Sequence, residues 1–291
     1  MTDLQDNSWI CIARGPRESL AEASLVLTAM SIEHRVEAEE RVWGLLVPLP
    51  LAVNATTQLQ RYRQENRYLP PPPKTVFDID SGWYGVLGYL VVIWMLPWLE
   101  ANWSYDWREV GNMHAGLVRD GEWWRCVTAL TLHADIGHIV ANSFFGAAFG
   151  LFVGRHLGSG FGWLLVLVSG ALGNAMNAWL QPDEFRSIGA STATFAALGL
   201  GPAYVWRRGY FRGRGWRRNF MPVFAAIALL AYTGVGGANT DVVAHFMGFA
   251  AGVGSGVLAA TFDVRRLGVS GQYLGGMAAI GLVTLAWSLA V

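Results

Sequence analysis

The sequence predicts an α-helical polytopic membrane protein with seven spans, preceded by a small soluble α+β domain. Two observations lead to this fold class. Hydrophobic residues make up 53% of the 291 residues and charged residues only 14%, whereas a typical soluble domain is about 25% charged. Apolar stretches of about 20 residues, the length of a helix that crosses a bilayer, recur from residue 82 to residue 291.

The small domain covers residues 1–69, and its predicted element order is β-α-β-β-α. Its strands are short apolar or alternating runs, and its helices repeat apolar residues every three or four positions. No motif in this domain is catalytic, so we interpret it as a regulatory or docking module of unknown partner. The five elements are Trp9–Ala13, Arg17–Met30, Arg35–Glu39, Val42–Val47 and Leu51–Asn66.

A linker, residues 70–81, separates this domain from the membrane part. Pro70–Pro73 are four consecutive prolines, which favour a stiff, extended chain. The membrane domain then covers residues 82–291. Its seven predicted spans are Gly82–Leu99, Ile136–Val153, Phe161–Leu180, Ile188–Trp206, Asn219–Val235, Val242–Phe262 and Tyr273–Val291.

The loops between spans predict the orientation. Six arginines lie between spans four and five, from Arg207 to Arg218, and Arg155, Arg265 and Arg266 lie in the other loops on that side. The positive-inside rule puts these loops in the cytoplasm. The N-terminal domain is then cytoplasmic and the C-terminus outside, in the cell (inner) membrane. Topology accounts for the arginines, and the net charge is zero, so nucleic acid is not an expected partner.

Both cysteines are expected to be free thiols. Cys11 and Cys126 lie far apart in the sequence and form no metal-binding or redox spacing.

Polar side chains within spans are costly and are functional candidates by default. The first set is His138 and Asn142 in span two, whose i, i+4 spacing puts both on one helical face. Each can donate hydrogen bonds through N–H groups. A polar pair that bridges to a neighbouring helix is the alternative interpretation.

The second candidate is Ser191, in the Gly189-Ala190-Ser191-Thr192 element at the start of span four. The free N–H groups and the dipole of a helix N-terminus favour developing negative charge. A serine that merely caps the helix is the alternative.

The third candidate is His245, early in span six. Gly248, Gly252 and Gly256 follow it and are spaced four residues apart. This spacing lets two helices touch at backbone distance. Span six is therefore predicted to pack tightly against a partner and to present His245 to it. A histidine held by a backbone carbonyl is the alternative.

Together these residues favour nucleophilic catalysis. A serine hydroxyl needs a base to remove its proton, and His245 could serve as that base. His138, Asn142 and the Ser191 N–H could donate to the oxyanion of a tetrahedral intermediate. Asp241 precedes His245 by four residues but is interpreted as marking the boundary of the span, which leaves a two-residue catalytic pair.

These motifs resemble those of the rhomboid family of intramembrane serine proteases. The resemblance rests on Gly189-Ala190-Ser191, on Ala244-His245 with Gly248 and Gly252, on His138-x-x-x-Asn142, and on Trp124-Arg125 in the loop after span one. It covers roughly residues 82 to 262, a six-helix rhomboid-like core, with a seventh helix added at the C-terminus.

The resemblance implies Ser191 as nucleophile, His245 as general base, and His138 and Asn142 as oxyanion donors. It implies that the substrates are single-span membrane proteins in the lipid bilayer, cut near the outer face. It implies no metal and no organic cofactor. Thr192 departs from the family, which commonly has glycine after the serine, and its β-branched side chain is expected to narrow the space beside the oxyanion site.

Two other functions are compatible with parts of the sequence. A non-catalytic rhomboid-like protein that binds membrane clients would share the fold and the small-residue packing, but it would have no need for Ser191 and His245. A transporter or channel would show inverted repeats or broken helices in matching halves, and the sequence has no convincing symmetry of that kind.

Overall fold

The structure is a computed structural model, and it describes residues 8–39, 42–66, 78–210, 216–233 and 240–291. The chain divides into two compact units, Met1–Pro71 and Pro72–Val291. Pro70–Pro73 of the predicted linker, Arg212 and Arg214 of the arginine-rich loop, and Val235 at the end of the fifth predicted span lie outside the described residues.

The first unit contains a three-stranded antiparallel sheet with two helices. The strands lie in the order β1-β3-β2, and Leu27, Leu45, Val47 and Ala55 are completely buried in the unit's core. Its elements are β1 (Trp9–Gly15), α1 (Arg17–Ala29), β2 (Arg35–Glu39), β3 (Val42–Pro48) and α2 (Ala52–Glu65).

The second unit begins with a long helix and a folded loop. Arg125 organises the loop: its Nη1 donates to the carbonyl oxygens of Glu109 and Asn112 at 3.1 and 3.0 Å, and its Nε to the Glu122 carboxylate at 2.5 Å. The elements are α3 (Trp83–Asn102), α4 (Trp107–Gly111), β4 (Met113–His114), α5 (Ala115–Arg119) and α6 (Arg125–Thr128), followed by a 3-10 turn at Ala129–Thr131.

The remaining elements form a helical bundle, and a short strand before α9 pairs with β4. They are α7 (Ile136–Leu157), α8 (Phe161–Leu180), β5 (Arg186–Ser187), α9 (Ser191–Arg208), α10 (Trp216–Thr233), α11 (Val242–Ala259) and α12 (Gly268–Ala290).

Five helices in the described part of the chain are long and apolar enough to cross a membrane, namely α3, α7, α8, α11 and the stretch ending in α12. Such helices are those of a multi-pass membrane protein. The helices at the fourth and fifth predicted spans fall short of this criterion for different reasons. Residues 192–201 of α9 are all buried within the protein, so small and polar residues suffice there, and only Phe220–Tyr232 of α10 is continuously apolar.

Most predicted span boundaries differ from the helix ends by a few residues, and at three of them the structure gives the reason. Span two continues to Leu157, which is fully buried, and span seven begins at Gly268 rather than Tyr273 because Gln272 already packs against the α7–α8 turn. Span four begins at Ser191 rather than Ile188, because the φ angle of Gly189 is +137°, which is not helical.

The two cysteines are free, as predicted. Cys126 is buried in the loop helix α6, and burial raises the pKa of its thiol to about 12. This thiol therefore stays protonated and unreactive at neutral pH.

Candidate active site

Helices α9 and α11 touch at backbone distance, which confirms the close packing predicted from the glycine spacing. A β-carbon added to any of three α11 glycines would collide with a backbone carbonyl of α9. The contacts advance by four residues on both helices: Gly248 on Thr192, Gly252 on Ala196, and Gly256 on Leu200. Because both sets of numbers increase together, the two helices run parallel, and α11, which begins at Val242, starts more than one turn before α9, which begins at Ser191.

This register brings His245 to the start of α9. His245 lies three residues before Gly248, and the contact of Gly248 with Thr192 puts it about one turn earlier, near Gly189–Ser191. The imidazole is 7% exposed. Its ring centroid lies 4.3 Å from that of Phe195, one turn after Ser191, with 33° between the ring planes. The imidazole therefore packs beside the first turn of α9.

Asp241 marks the start of α11, as the sequence indicated. Its Oδ1 accepts a hydrogen bond from the Ala244 N–H at 2.9 Å, which makes it the N-cap of the helix. Its Oδ2 accepts from the Asn177 side chain at 2.7 Å, and Asn177 is fully buried in α8. Asn177 was not among the residues predicted from the sequence, although an amide within a span is a signal that could have identified it. Asn177 and Asp241 fix the first turn of the helix that carries His245.

Ser191 is the first residue of α9 and is partly exposed. Ala190, not Ser191, is the N-cap, and within the described residues no side-chain hydrogen bond caps this helix. The serine hydroxyl is therefore not used for capping, contrary to the structural alternative considered for it. The first-turn N–H groups beside it point out of the helix end and can receive negative charge.

Gly189 lies close to the side chains of both His138 and Ser191. A β-carbon built on Gly189 would lie 2.6 Å from Cε1 and 2.8 Å from Nε2 of His138, and 3.5 Å from Oγ of Ser191. The left-handed φ of +137° also disfavours any residue with a side chain here. Glycine thus leaves room for the imidazole of His138 beside the serine hydroxyl.

Asn142 lies one turn further along the same face of α7 as His138. Its side chain is 5% exposed, and its Nδ2 is buried with no hydrogen-bond acceptor among the described residues. Its backbone carbonyl accepts from the Tyr89 hydroxyl at 2.9 Å. An unsatisfied buried donor typically costs about 1–3 kcal/mol, and such a donor can bind an acceptor that a ligand brings.

The methyl group of Thr192 does not occupy the space that was expected for it from the sequence. Thr192 is 2% exposed. Its Cγ2 lies between α8 and α11, 2.8 Å from a β-carbon built on Gly173 and 2.9 Å from one built on Gly248. The prediction that this methyl group narrows the space beside the oxyanion site is therefore wrong, because Gly173 and Gly248 leave a gap that the methyl group fills.

His133, in the loop before α7, also contacts the serine segment and was missed by the sequence analysis. Its Nε2 accepts from the Ala190 N–H at 3.4 Å, and its ring lies 5.2 Å from the His138 ring. Burial, with a smaller contribution from His138, lowers the pKa of His133 to about 3. The side chain is therefore neutral at physiological pH, which leaves Nε2 able to accept. The sequence signal that could have identified His133 is its position five residues before His138, since it adds a third histidine to His138 and His245.

We expect acid to destabilise the protein through His133. Its folded pKa of about 3 lies below the unfolded value of about 6.5, so between these values the unfolded chain binds the proton. Stability is then fully present above the unfolded pKa and is lost as the pH falls toward 3. Going from pH 7 to pH 5 should lower the free energy of unfolding by about 2 kcal/mol. Thermal unfolding in detergent micelles at both pH values measures this loss.

His133→Gln should shrink the difference in melting temperature between pH 7 and pH 5. His156→Gln, at the other end of α7 where the ring contacts the Phe152 carbonyl at 2.8 Å, is the matched control and should retain it. An unchanged pH dependence in His133→Gln would contradict the assignment.

The comparisons with known proteins give one consistent family. Residues 120–262 match the rhomboid domain. YdcA of Bacillus subtilis (strain 168), whose name contains the words rhomboid protease, is 28% identical over 167 residues, which are 57% of this chain and 82% of that protein. Rhomboid protease GluP of the same organism is 30% identical over 178 residues, 60% of this chain and 33% of GluP.

Rhomboid-like protease 1 of Toxoplasma gondii is 28% identical over 151 residues, which are 51% of each chain. The match thus covers most of YdcA but only a third of GluP and half of the Toxoplasma protein. The matched domain contains Ser191, His245, His138 and Asn142. In the described part of the chain, no group of three or more His, Cys, Asp or Glu side chains is arranged to hold a metal ion.

Proposed function

The chain belongs to the rhomboid family, and we propose that it is an intramembrane serine endopeptidase in which Ser191 is the nucleophile and His245 the general base. The parallel contact of α9 and α11 is the observation that carries this proposal. It supports a position of the His245 imidazole at the level of the Ser191 hydroxyl, since the glycine–carbonyl register brings both to the same end of the two helices.

The reaction follows from these roles. The Ser191 oxygen attacks the carbonyl carbon of the scissile peptide bond while His245 removes the hydroxyl proton. The tetrahedral intermediate collapses, the C–N bond breaks, and His245 returns the proton to the leaving amine. Water, deprotonated by His245, then attacks the acyl-enzyme and releases the new carboxylate and the free serine. Two side chains suffice for this cycle, as in other variants of the serine-protease arrangement.

We assign oxyanion stabilisation to His138, Asn142 and the backbone N–H of Ser191. The contacts around Gly189 support His138, whose ring lies close to the serine. The unsatisfied buried Nδ2 supports Asn142. Donors of this kind act on charge that develops only in the transition state, so they raise the rate of the chemical step rather than the affinity for substrate.

The expected substrates are membrane proteins with a single span, cut near the outer face of the cell (inner) membrane. The arginine-rich loops support a cytoplasmic N-terminus and an outer C-terminus, which puts the first turns of α9 and α11 near the outer surface. Water would reach the acyl-enzyme from that side. Residues 1–69 would then form a cytoplasmic regulatory or docking module, joined by the linker 70–81 to the seven-span domain 82–291.

A serine-directed phosphonate tests the nucleophile without a known substrate. The purified protein in detergent should be labelled at Ser191, as mapped by mass spectrometry, because an activated serine attacks phosphorus as it attacks a carbonyl. Ser191→Ala and His245→Ala should not be labelled. Ser187→Ala, four residues before Ser191 in β5, is the matched control and should label normally.

Labelling of His245→Ala at the wild-type rate would contradict the Ser191–His245 pair. A folded wild-type protein that takes up no label and cuts no membrane substrate would instead support a non-catalytic rhomboid-like protein that binds its clients.

A further inference from the structure

We infer that the C-terminal helix α12 holds the active-site segment in place through Trp287, which makes Trp287 a positioning residue for the serine site. This inference rests on the proposed function. It concerns a helix that follows the matched rhomboid domain, which ends at residue 262, and one of the hydrogen bonds that join the two.

Trp287 binds the 3-10 turn that follows α6. Its indole Nε1 donates to Oγ1 of Thr131 at 3.1 Å. Thr131 is 2% exposed, and its hydroxyl donates in turn to the Thr128 carbonyl at 2.7 Å. A buried hydroxyl that both donates and accepts has a fixed orientation, so the tryptophan bond fixes this turn rather than merely covering it.

The indole ring is itself held by its surroundings. It packs edge-to-face on Trp107 at a centroid distance of 5.7 Å, and it covers Gly111, where a β-carbon would lie 3.1 Å from Cζ3 of the ring. Thr128 donates to the Gly111 carbonyl at 2.7 Å. The ring, α4 and the turn at Ala129–Thr131 therefore form one packed unit.

The same turn holds the serine segment on its other side. The Ala129 carbonyl accepts from the Gly189 N–H at 2.9 Å, and His133, two residues after Thr131, accepts from the Ala190 N–H at 3.4 Å. The two residues that precede Ser191 are thus hydrogen-bonded to residues on either side of Thr131. A turn that shifts when Trp287 is lost would shift Gly189 and the serine with it.

The opposite end of α12 provides an internal comparison. Gln272 accepts from the N–H groups of Gly160 and Phe161 at 3.1 and 3.0 Å, and it donates to the Leu157 carbonyl at 3.1 Å. These bonds satisfy the α7–α8 turn and the start of α8. Gln272 therefore fastens the same helix as Trp287, but its hydrogen bonds in the described part of the chain go to the α7–α8 turn and not to the serine segment.

The test compares Trp287→Phe with Gln272→Leu in the full-length protein. Trp287→Phe removes the N–H but keeps an aromatic ring, and it should slow phosphonate labelling of Ser191 by about five- to tenfold, the equivalent of one neutral hydrogen bond. Its melting temperature should fall less than that of Gln272→Leu. Gln272→Leu should label at the wild-type rate below its melting temperature. With a cleavable substrate, Trp287→Phe should lower kcat and leave KM unchanged.

Thr131 supplies a second pair of variants. Thr131→Val removes the hydroxyl and should slow labelling as Trp287→Phe does, whereas Thr131→Ser keeps the hydroxyl and should restore the rate. Equal labelling of wild type and Trp287→Phe would overturn the inference, as would rates that simply follow the melting temperatures of all four variants. Absence of labelling in the wild type is a separate result, because it would count against the proposed function itself.

Discussion

Cleavage of a tagged single-span substrate is expected to fall by at least about 10⁴-fold in Ser191→Ala and in His245→Ala, because each change removes a member of a unit that acts together. Ser191→Ala deletes the atom that forms the acyl bond. His245→Ala leaves a hydroxyl without a base to take its proton. The two losses should not add in the double variant, since neither residue functions without the other. Product formation by the purified variants in proteoliposomes measures the effect.

The oxyanion donors give a graded comparison within the same assay. Asn142→Ala and His138→Ala keep the nucleophile and the base, so each should lose about 10²–10³-fold in kcat, the usual cost of one donor. Their melting temperatures should stay close to that of the wild type, and for Asn142 this follows from a buried Nδ2 without a described partner. Equal product from wild type and Ser191→Ala would falsify the mechanism.

The sequence predicts the residues of the candidate site and the close helix contact near them, but it does not predict most of the side-chain contacts around them. The fourfold spacing of Gly248, Gly252 and Gly256 predicts a close helix contact because only glycine permits backbone approach at each turn, and α9 is the partner that the structure provides. A motif of this kind is visible as a sequence pattern, since all its residues lie on one helix.

Contacts between distant segments leave no such pattern. Trp287 reaches Thr131 across 156 positions, and Asn177 reaches Asp241 across 64. Neither spacing has a periodicity that could be read in advance. The direction of the Thr192 methyl group likewise depends on two glycines from other helices. The expectation that it narrows the oxyanion site considered only its own backbone. In each of these cases the contact depends on residues from another part of the chain.

The second large effect is expected from a single methyl group on α11. In Gly252→Ala the new β-carbon would collide with the Ala196 carbonyl oxygen and lie 2.8 and 2.9 Å from the carbonyl carbon and Cα of the same residue. Backbone atoms cannot rotate away, so α9 and α11 must separate by roughly 1 Å. A displacement of that size can cost about 10²-fold in rate when the reacting groups sit on the two separated elements. Phosphonate labelling of Ser191 should slow accordingly.

Stability should fall in the same variant, by about 1–3 kcal/mol for an overpacked core. Gly254→Ala is the matched control, because it is two residues away on the same helix and its β-carbon would meet no atom within 4 Å. It should label and melt as the wild type does. If Gly252→Ala kept full labelling while its melting temperature fell, a change in helix separation would not affect the serine and histidine. The dyad would then not depend on the α9–α11 contact from which it is inferred. If labelling is lost in Gly252→Ala but not in Gly254→Ala, the reaction of Ser191 depends on the distance between the α9 and α11 backbones.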